Sequence, residues 1–109
     1  MDNGGYIYLI YDECADVCKI GVSKGLKNKR LKALQTRNST ELRILYTYSC
    51  AYPYRLETML HKYYANDCIK NEWFYLTPQQ ISSFMDTCEK LNRNIQSLIE
   101  NPYFSRGLK

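Results

Sequence analysis

Two stretches of alternating side chains open the chain. In the first, Tyr6–Tyr11, an extended backbone puts Tyr6, Tyr8 and Ile10 on one side and Ile7, Leu9 and Tyr11 on the other. Its aromatic and β-branched content predicts a strand. Asp12–Asp16 is a polar, acidic turn. Val17–Val22 predicts a second strand, with Val17, Lys19 and Gly21 opposed to Cys18, Ile20 and Val22. Neither strand has a plainly polar face, so the sheet is expected to be covered by helices on at least one side. Lys19 is the odd member of a strand that otherwise reads as buried.

The pattern then changes period. Ser23 suits a helix N-cap, and a helix is predicted from about Gly25 to Gln35. Leu26, Leu31 and Leu34 form its apolar stripe, while Lys27, Lys29 and Lys32 point elsewhere. Arg30, four residues from both Leu26 and Leu34, falls on the core side or its flank and must reach out or be paired. After a loop at Thr36–Thr40, Glu41–Cys50 predicts a third strand, with Leu42, Ile44, Tyr46 and Tyr48 along one face. Pro53 suits a first helical position. From Tyr54 to about Ala65 the pairs Leu56/Leu60, Met59/Tyr63 and Leu60/Tyr64 mark an amphipathic helix, and Glu57 and His61 share one face of it. Asn71–Leu76 is a fixed loop or short strand. Thr77-Pro78-Gln79-Gln80 carries helix-start signals, and a stripe from Ile81 through Phe84, Cys88, Leu91 and Ile95 to Ile99 predicts one long helix, Pro78–Glu100. The order β-β-α-β-α-loop-α implies an α+β domain with helices packed on a small antiparallel sheet.

Composition sharpens this picture at three points. At 109 residues, 45% apolar and 24% charged, the chain fits one soluble globular domain with a single core. The net charge of +4 is modest, but its distribution is not. Lys19–Thr40 contains no acidic residue and holds Lys19, Lys24, Lys27, Lys29, Arg30, Lys32 and Arg37, seven of the 15 Lys and Arg residues. That clustering points to an anionic partner, nucleic acid ahead of membrane, because no apolar run approaches a spanning length. Five cysteines, an odd number in no scaffold pattern, fit free thiols in a reducing compartment. Cys14 and Cys18 with Cys50 or Cys68 match no paired zinc spacing, and the lone His61 adds little. No secretory signal opens the chain. Most of the eleven tyrosines serve packing and wet rims. The Tyr46/Tyr48 and Tyr52/Tyr54 cluster either stacks bases or packs the third strand and the helix after it.

Tyr6-Ile7-Tyr8, Lys19-Ile20-Gly21, Lys29-Arg30-Leu31, and Leu56-Glu57 with Leu60-His61 follow one another in an order and spacing that resembles the GIY-YIG endonuclease domain. The likeness runs over roughly Gly5–Leu76. The branch it most resembles is the phage- and virus-type one, with a KIG second motif, an RLKALQT-like helix end and an EWF ending. The resemblance implies a central three-stranded antiparallel sheet flanked by helices, with the C-terminal helix and basic tail (77–109) completing one domain. It implies metal-dependent hydrolysis of DNA phosphodiesters and a viral or mobile-element source, acting inside a host cell in cytoplasm or nucleus. One Mg²⁺ or Mn²⁺ would be held by Glu57, and Arg30 would grip the scissile phosphate. Tyr8 would be the general base or the orienter of the attacking water, assisted by Lys19, which stands where most members have tyrosine. Leu34 stands where several members place His or Tyr, so that task passes to His61 or Tyr6, or the rate suffers. Lys24, Lys27, Lys29, Arg30, Lys32, Arg37 and Asn71 would contact the DNA, duplex or branched. The C-terminal helix covers the core, contacts DNA or joins a homodimer. The alternative is a catalytically inactive nucleic-acid-binding module of the same fold, a reading fed by Lys19 and Leu34.

Overall fold

The opening alternation builds a hairpin. In the computed structural model, which describes residues 4–24 and 42–100, β1 (Gly5–Asp12) pairs antiparallel with β2 (Val17–Ser23), placing Tyr8 opposite Gly21 and Ile10 opposite Lys19. The acidic turn holds itself together. The Asp12 carboxylate accepts from the N–H groups of Cys14 and Ala15 at 3.0 and 3.2 Å, and the Asp16 N–H returns to the Asp12 carbonyl at 2.8 Å. Asp16 sits at φ +57°, a left-handed conformation that aspartate tolerates better than most residues.

On its other side β1 pairs antiparallel with β3 (Leu42–Cys50). The register slips between Leu9–Tyr46 and Ile10–Ile44, so Leu45 has no opposite number. This bulge splits the face expected for β3, because one extra residue inverts every side chain beyond it. Leu42 and Ile44 join Tyr8 and Ile10, while Tyr46 and Tyr48 join Ile7 and Leu9.

The sheet has five strands rather than the expected three. β4 (Cys68–Lys70) and β5 (Trp73–Phe74) extend it in the order β3-β1-β2-β5-β4, antiparallel throughout. Strands of three and two residues are too short to show an alternating pattern. Their place comes from backbone pairing, Cys18 with Phe74 and Lys19 with Trp73. Asn71, at φ +55°, lies between β4 and β5.

Helix α1 (Pro53–Tyr63) sets the fully buried Leu56 and Leu60 against Ile7, Leu9 and Ile20. The helix expected over Pro78–Glu100 is two: α2 (Pro78–Ser82) and α3 (Phe84–Glu100). The Ser82 and Ser83 hydroxyls donate to the carbonyls of Gln79 and Gln80 at 3.1 and 3.3 Å, competing with the helical ladder where it breaks. The start of α2 is the capping box that Thr77 and Gln80 predict, with reciprocal bonds of 3.1 and 2.7 Å. Phe84, Cys88, Leu91 and Ile95 of α3 complete the core with α1. Tyr46 stacks on Phe84, and the Tyr48 hydroxyl donates to Glu89 at 2.8 Å, so this tyrosine pair serves packing. The three α-helices of the described residues thus cover one face of the sheet. The other face carries Tyr6, Tyr8, Ile10, Lys19, Gly21 and Trp73. Among the described residues, no helix is long and apolar enough to cross a membrane.

Candidate active site

Strand alternation brings the first part of the site together. Tyr8 and Gly21 are directly paired, and Lys19 is the diagonal neighbour of Tyr8 on the same face. Gly21 adds no side chain there. A Cβ built on it would meet Glu72 Oε1 at 3.6 Å and Lys19 Cε at 3.8 Å, ordinary van der Waals contacts, so among the described residues Gly21 leaves just the room of a methyl between Tyr8 and these two side chains. Tyr8 is 1% exposed, and its hydroxyl has no hydrogen-bond partner among the described residues. A buried hydroxyl without a partner is costly and marks a place where something else is expected to bond. The Tyr64 hydroxyl also lacks a well-aligned partner, but its surroundings differ. Burial raises its pKa and the neighbouring Thr87 side chain opposes that rise, so another hydroxyl stands beside it in the helix-facing core.

Lys19 is held rather than splayed to solvent. Its side chain is 13% exposed, with Nζ 3.7 Å from Glu72 Oε1 and 5.8 Å from the centre of the Trp73 ring. β5 explains both contacts, since pairing Trp73 with Lys19 delivers Glu72 to the same neighbourhood. The Tyr6 ring, 6.5 Å from that of Tyr8, lies on the same face and is exposed.

The second part comes from α1. Glu57 and His61, one turn apart, are half-buried, with His61 Nε2 3.9 Å from Glu57 Oε2. His61 Nε2 lies 3.0 Å from the Ile20 carbonyl oxygen. A carbonyl only accepts, so Nε2 carries the proton and donates, which fixes the ring's tautomer when neutral. The Phe74 ring, 5.1 Å away and edge-on, holds the imidazole from the side. The N–H of the same Ile20 donates to the Glu72 carbonyl at 3.1 Å. Both backbone groups of Ile20 are therefore occupied at the outer edge of β2, one by the residue that flanks Glu57 and one by the residue that holds Lys19. Ile20 joins the two parts.

Glu72 is the neighbour that sequence reasoning missed. Its signal was weak: one acid ahead of two aromatics in a stretch too short to assign. Asn71 is exposed between β4 and β5, and its φ gives a conformational reason for asparagine. Lys24 is exposed just past β2, with Nζ 5.8 Å from the centre of the Tyr54 ring. Lys27, Lys29, Arg30, Lys32, Leu34 and Arg37 lie outside the described residues, as does the helix expected at 25–35. Among the described residues, no group of three His, Cys, Asp or Glu side chains could hold a metal ion. A divalent ion at Glu57 would draw the rest of its shell from water and phosphate oxygen, which suits a hard ion that keeps most of its hydration.

The family model of the T5orf172 domain matches residues 5–97, and the chain belongs to that family. The match takes in every strand and helix described above except the last turn of α3. No curated protein and no solved structure matches the chain.

Proposed function

We propose that this T5orf172-domain protein is a divalent-metal-dependent DNA endonuclease of the GIY-YIG type. Membership in the family suggests a nuclease or a DNA-binding protein. What carries the narrower reading is the Tyr8 hydroxyl, buried without a partner among the described residues, paired with Gly21 and with Lys19 on the same face.

In this reading the Tyr8 oxygen, as phenolate, accepts a hydrogen bond from the attacking water and takes its proton as the new P–O bond forms. The P–O bond to the leaving sugar oxygen breaks, and that oxygen takes a proton from solvent. Lys19, steadied by Glu72 and Trp73, keeps positive charge on that face while negative charge develops. Arg30 grips two oxygens of the scissile phosphate with its planar fork. Mg²⁺ or Mn²⁺ held by Glu57 supplies charge stabilisation at phosphorus when bound. His61 is a positioning residue: locked to Ile20, it stands with its ring nitrogen 3.9 Å from the Glu57 carboxylate and limits where that carboxylate can turn. The substrate is DNA, duplex or branched, met inside a reducing compartment.

The test is incubation with supercoiled plasmid and with labelled branched and linear duplexes in Mg²⁺, Mn²⁺ or EDTA. Glu57→Ala and Arg30→Ala run alongside at equal purity. Cleavage that needs metal and is lost in both variants is the expected result. A wild type that binds these DNAs and leaves them intact in either metal makes the protein a non-catalytic nucleic-acid-binding module, with Lys19 and Leu34 the substitutions that removed the chemistry.

A further inference from the structure

The structure separates the two tyrosine pairs that the sequence left together. Tyr46 and Tyr48 are packed, but Tyr52 and Tyr54 are not. Tyr54 is 55% exposed at the start of α1, and Tyr52 lies exposed before it. They line a groove of about 620 Å³ with Lys24, Arg55 and Met59. A second hollow shares Lys24 with it and continues to Tyr6. No acidic residue lines either hollow among the described residues.

Three observations define what such a groove takes. Its rings are exposed and its nearest charges are cationic, with Lys24 Nζ 5.8 Å from the Tyr54 ring centre. The groove also lies at the start of α1, where Tyr52 provides no side-chain cap and no acid occupies the first turn. A helix start leaves early N–H groups without intrahelical partners and carries partial positive charge, which favours phosphate. Tyr54 is also three residues before Glu57 on the same helix, so the two side chains are neighbours along one flank. The adjoining second hollow reaches Tyr6, whose ring adjoins that of Tyr8.

We infer that this groove holds an unpaired nucleotide strand, a base stacked on Tyr54 and its phosphate between Lys24 and Arg55, leading a single-stranded flap or branch toward the proposed catalytic edge. A duplex keeps its bases stacked on one another and offers no free base face to a tyrosine. An unpaired base offers that face whatever its identity. The volume lies within the ~300–1,000 Å³ of small-ligand pockets, enough for a nucleotide and its linkage. The direction in which the strand is led rests on the nuclease reading, but the stacking site does not.

The test is therefore a binding measurement in EDTA, independent of cleavage. Fluorescence anisotropy is read with labelled oligothymidine, oligouridine and a blunt duplex, each of about twelve residues or pairs, a length matched to single-strand site sizes. The wild type should bind a single strand, and whichever of the two single-stranded probes is held tighter identifies the strand as DNA or RNA. Tyr54→Ala should weaken that binding roughly 5- to 100-fold, the range expected for losing one base–aromatic stack, and leave duplex binding unchanged. Tyr54→Trp should restore it. Lys24→Gln should flatten the salt dependence by about 0.7 in log–log slope for one phosphate contact on a single strand. Unaltered melting of each variant establishes that the fold is intact. Single-strand binding that Tyr54→Ala leaves unchanged, or a wild type that binds no single strand, overturns the inference. Failure of cleavage alone would refute the nuclease and leave this site standing.

Discussion

Replacing Tyr8 by phenylalanine separates stability from chemistry. The ring is buried, so phenylalanine preserves its packing against Ile10 and Leu42, and only the hydroxyl, without a partner among the described residues, is removed. Burying a hydroxyl without a hydrogen bond costs about 1–3 kcal/mol by protein mutational data. In a domain of this size 1 kcal/mol moves the melting temperature by about 4–8 °C. Tyr8→Phe should therefore melt roughly 4–24 °C above wild type. If Tyr8 takes the proton of the attacking water, cleavage should fall by about 10²- to 10⁴-fold in the same variant. The pairing is demanding, because most substitutions at buried positions destabilise. Thermal melts followed by circular dichroism, and plasmid cleavage on the same preparations, read both quantities. A lower melting temperature would show that the hydroxyl has a partner, and unchanged cleavage would remove Tyr8 from the mechanism.

The two glycines of the hairpin should behave oppositely. A Cβ on Gly5 would lie 2.8 Å from the Ser23 carbonyl oxygen and 3.1 Å from Pro53 Cγ, so Gly5→Ala should cost about 1–3 kcal/mol in chemical denaturation. Gly21 has ordinary φ and a Cβ there would meet Glu72 and Lys19 only at ordinary contact distance, so Gly21→Ala should gain about 0.4–1 kcal/mol, yet lose cleavage as its methyl crowds Lys19 beside Tyr8. Equal stability of the two variants would contradict the geometry. All of Cys14, Cys18, Cys50, Cys68 and Cys88 are free. With Ellman's reagent at pH 8, the exposed Cys14 and Cys68 should react quickly, while Cys18 and Cys88, pushed by burial up to about 11 and about 12, should wait for unfolding. Fast reaction of four or five thiols in the folded protein would refute that burial. The same shifts set an alkaline limit, joined by Tyr48, which burial and then its bond to Glu89 push up to about 12. These folded values lie above the unfolded ones of 9 for cysteine and 10 for tyrosine, so the folded state holds protons that the unfolded state releases. Their contribution is complete below about pH 9 and is lost as pH rises toward 12. Melting temperature should fall over that interval, and fall less steeply in Cys88→Ala; a flat profile would refute it.

What could be read in the sequence was what repeats over several residues. β1 and β2 each run seven or eight residues with clear alternation, and the pairs Leu56/Leu60 and Phe84/Cys88/Leu91/Ile95 mark buried helix faces. The capping box at Thr77 was visible because both its partners lie within four residues. Most of the failures have one physical origin. The bulge at Leu45 and the pairing of β5 with β2 are decided by backbone hydrogen bonds between segments, and side-chain pattern does not record them. Glu72 was missed for that reason: its place beside Lys19 follows from a two-residue strand pairing across more than fifty positions. The break at Ser83 is local, where two serine hydroxyls compete for helix carbonyls under an unbroken apolar stripe. Glu57 and His61 were legible as a pair on one helical face, but not the Ile20 carbonyl that holds His61.

The most direct measurement is the single-turnover cleavage rate of a labelled DNA in Mg²⁺ for wild type and Glu57→Gln, with affinity read on the same samples in Ca²⁺. Glutamine keeps the shape beside His61 and removes the charge that would hold the ion. The expected result is retained affinity with a rate lowered by about 100-fold or more, as for loss of a group acting in the transition state. Equal rates for the two proteins, or a wild type that binds the DNA and never cuts it, would contradict the assignment of this edge of the sheet as a nuclease site.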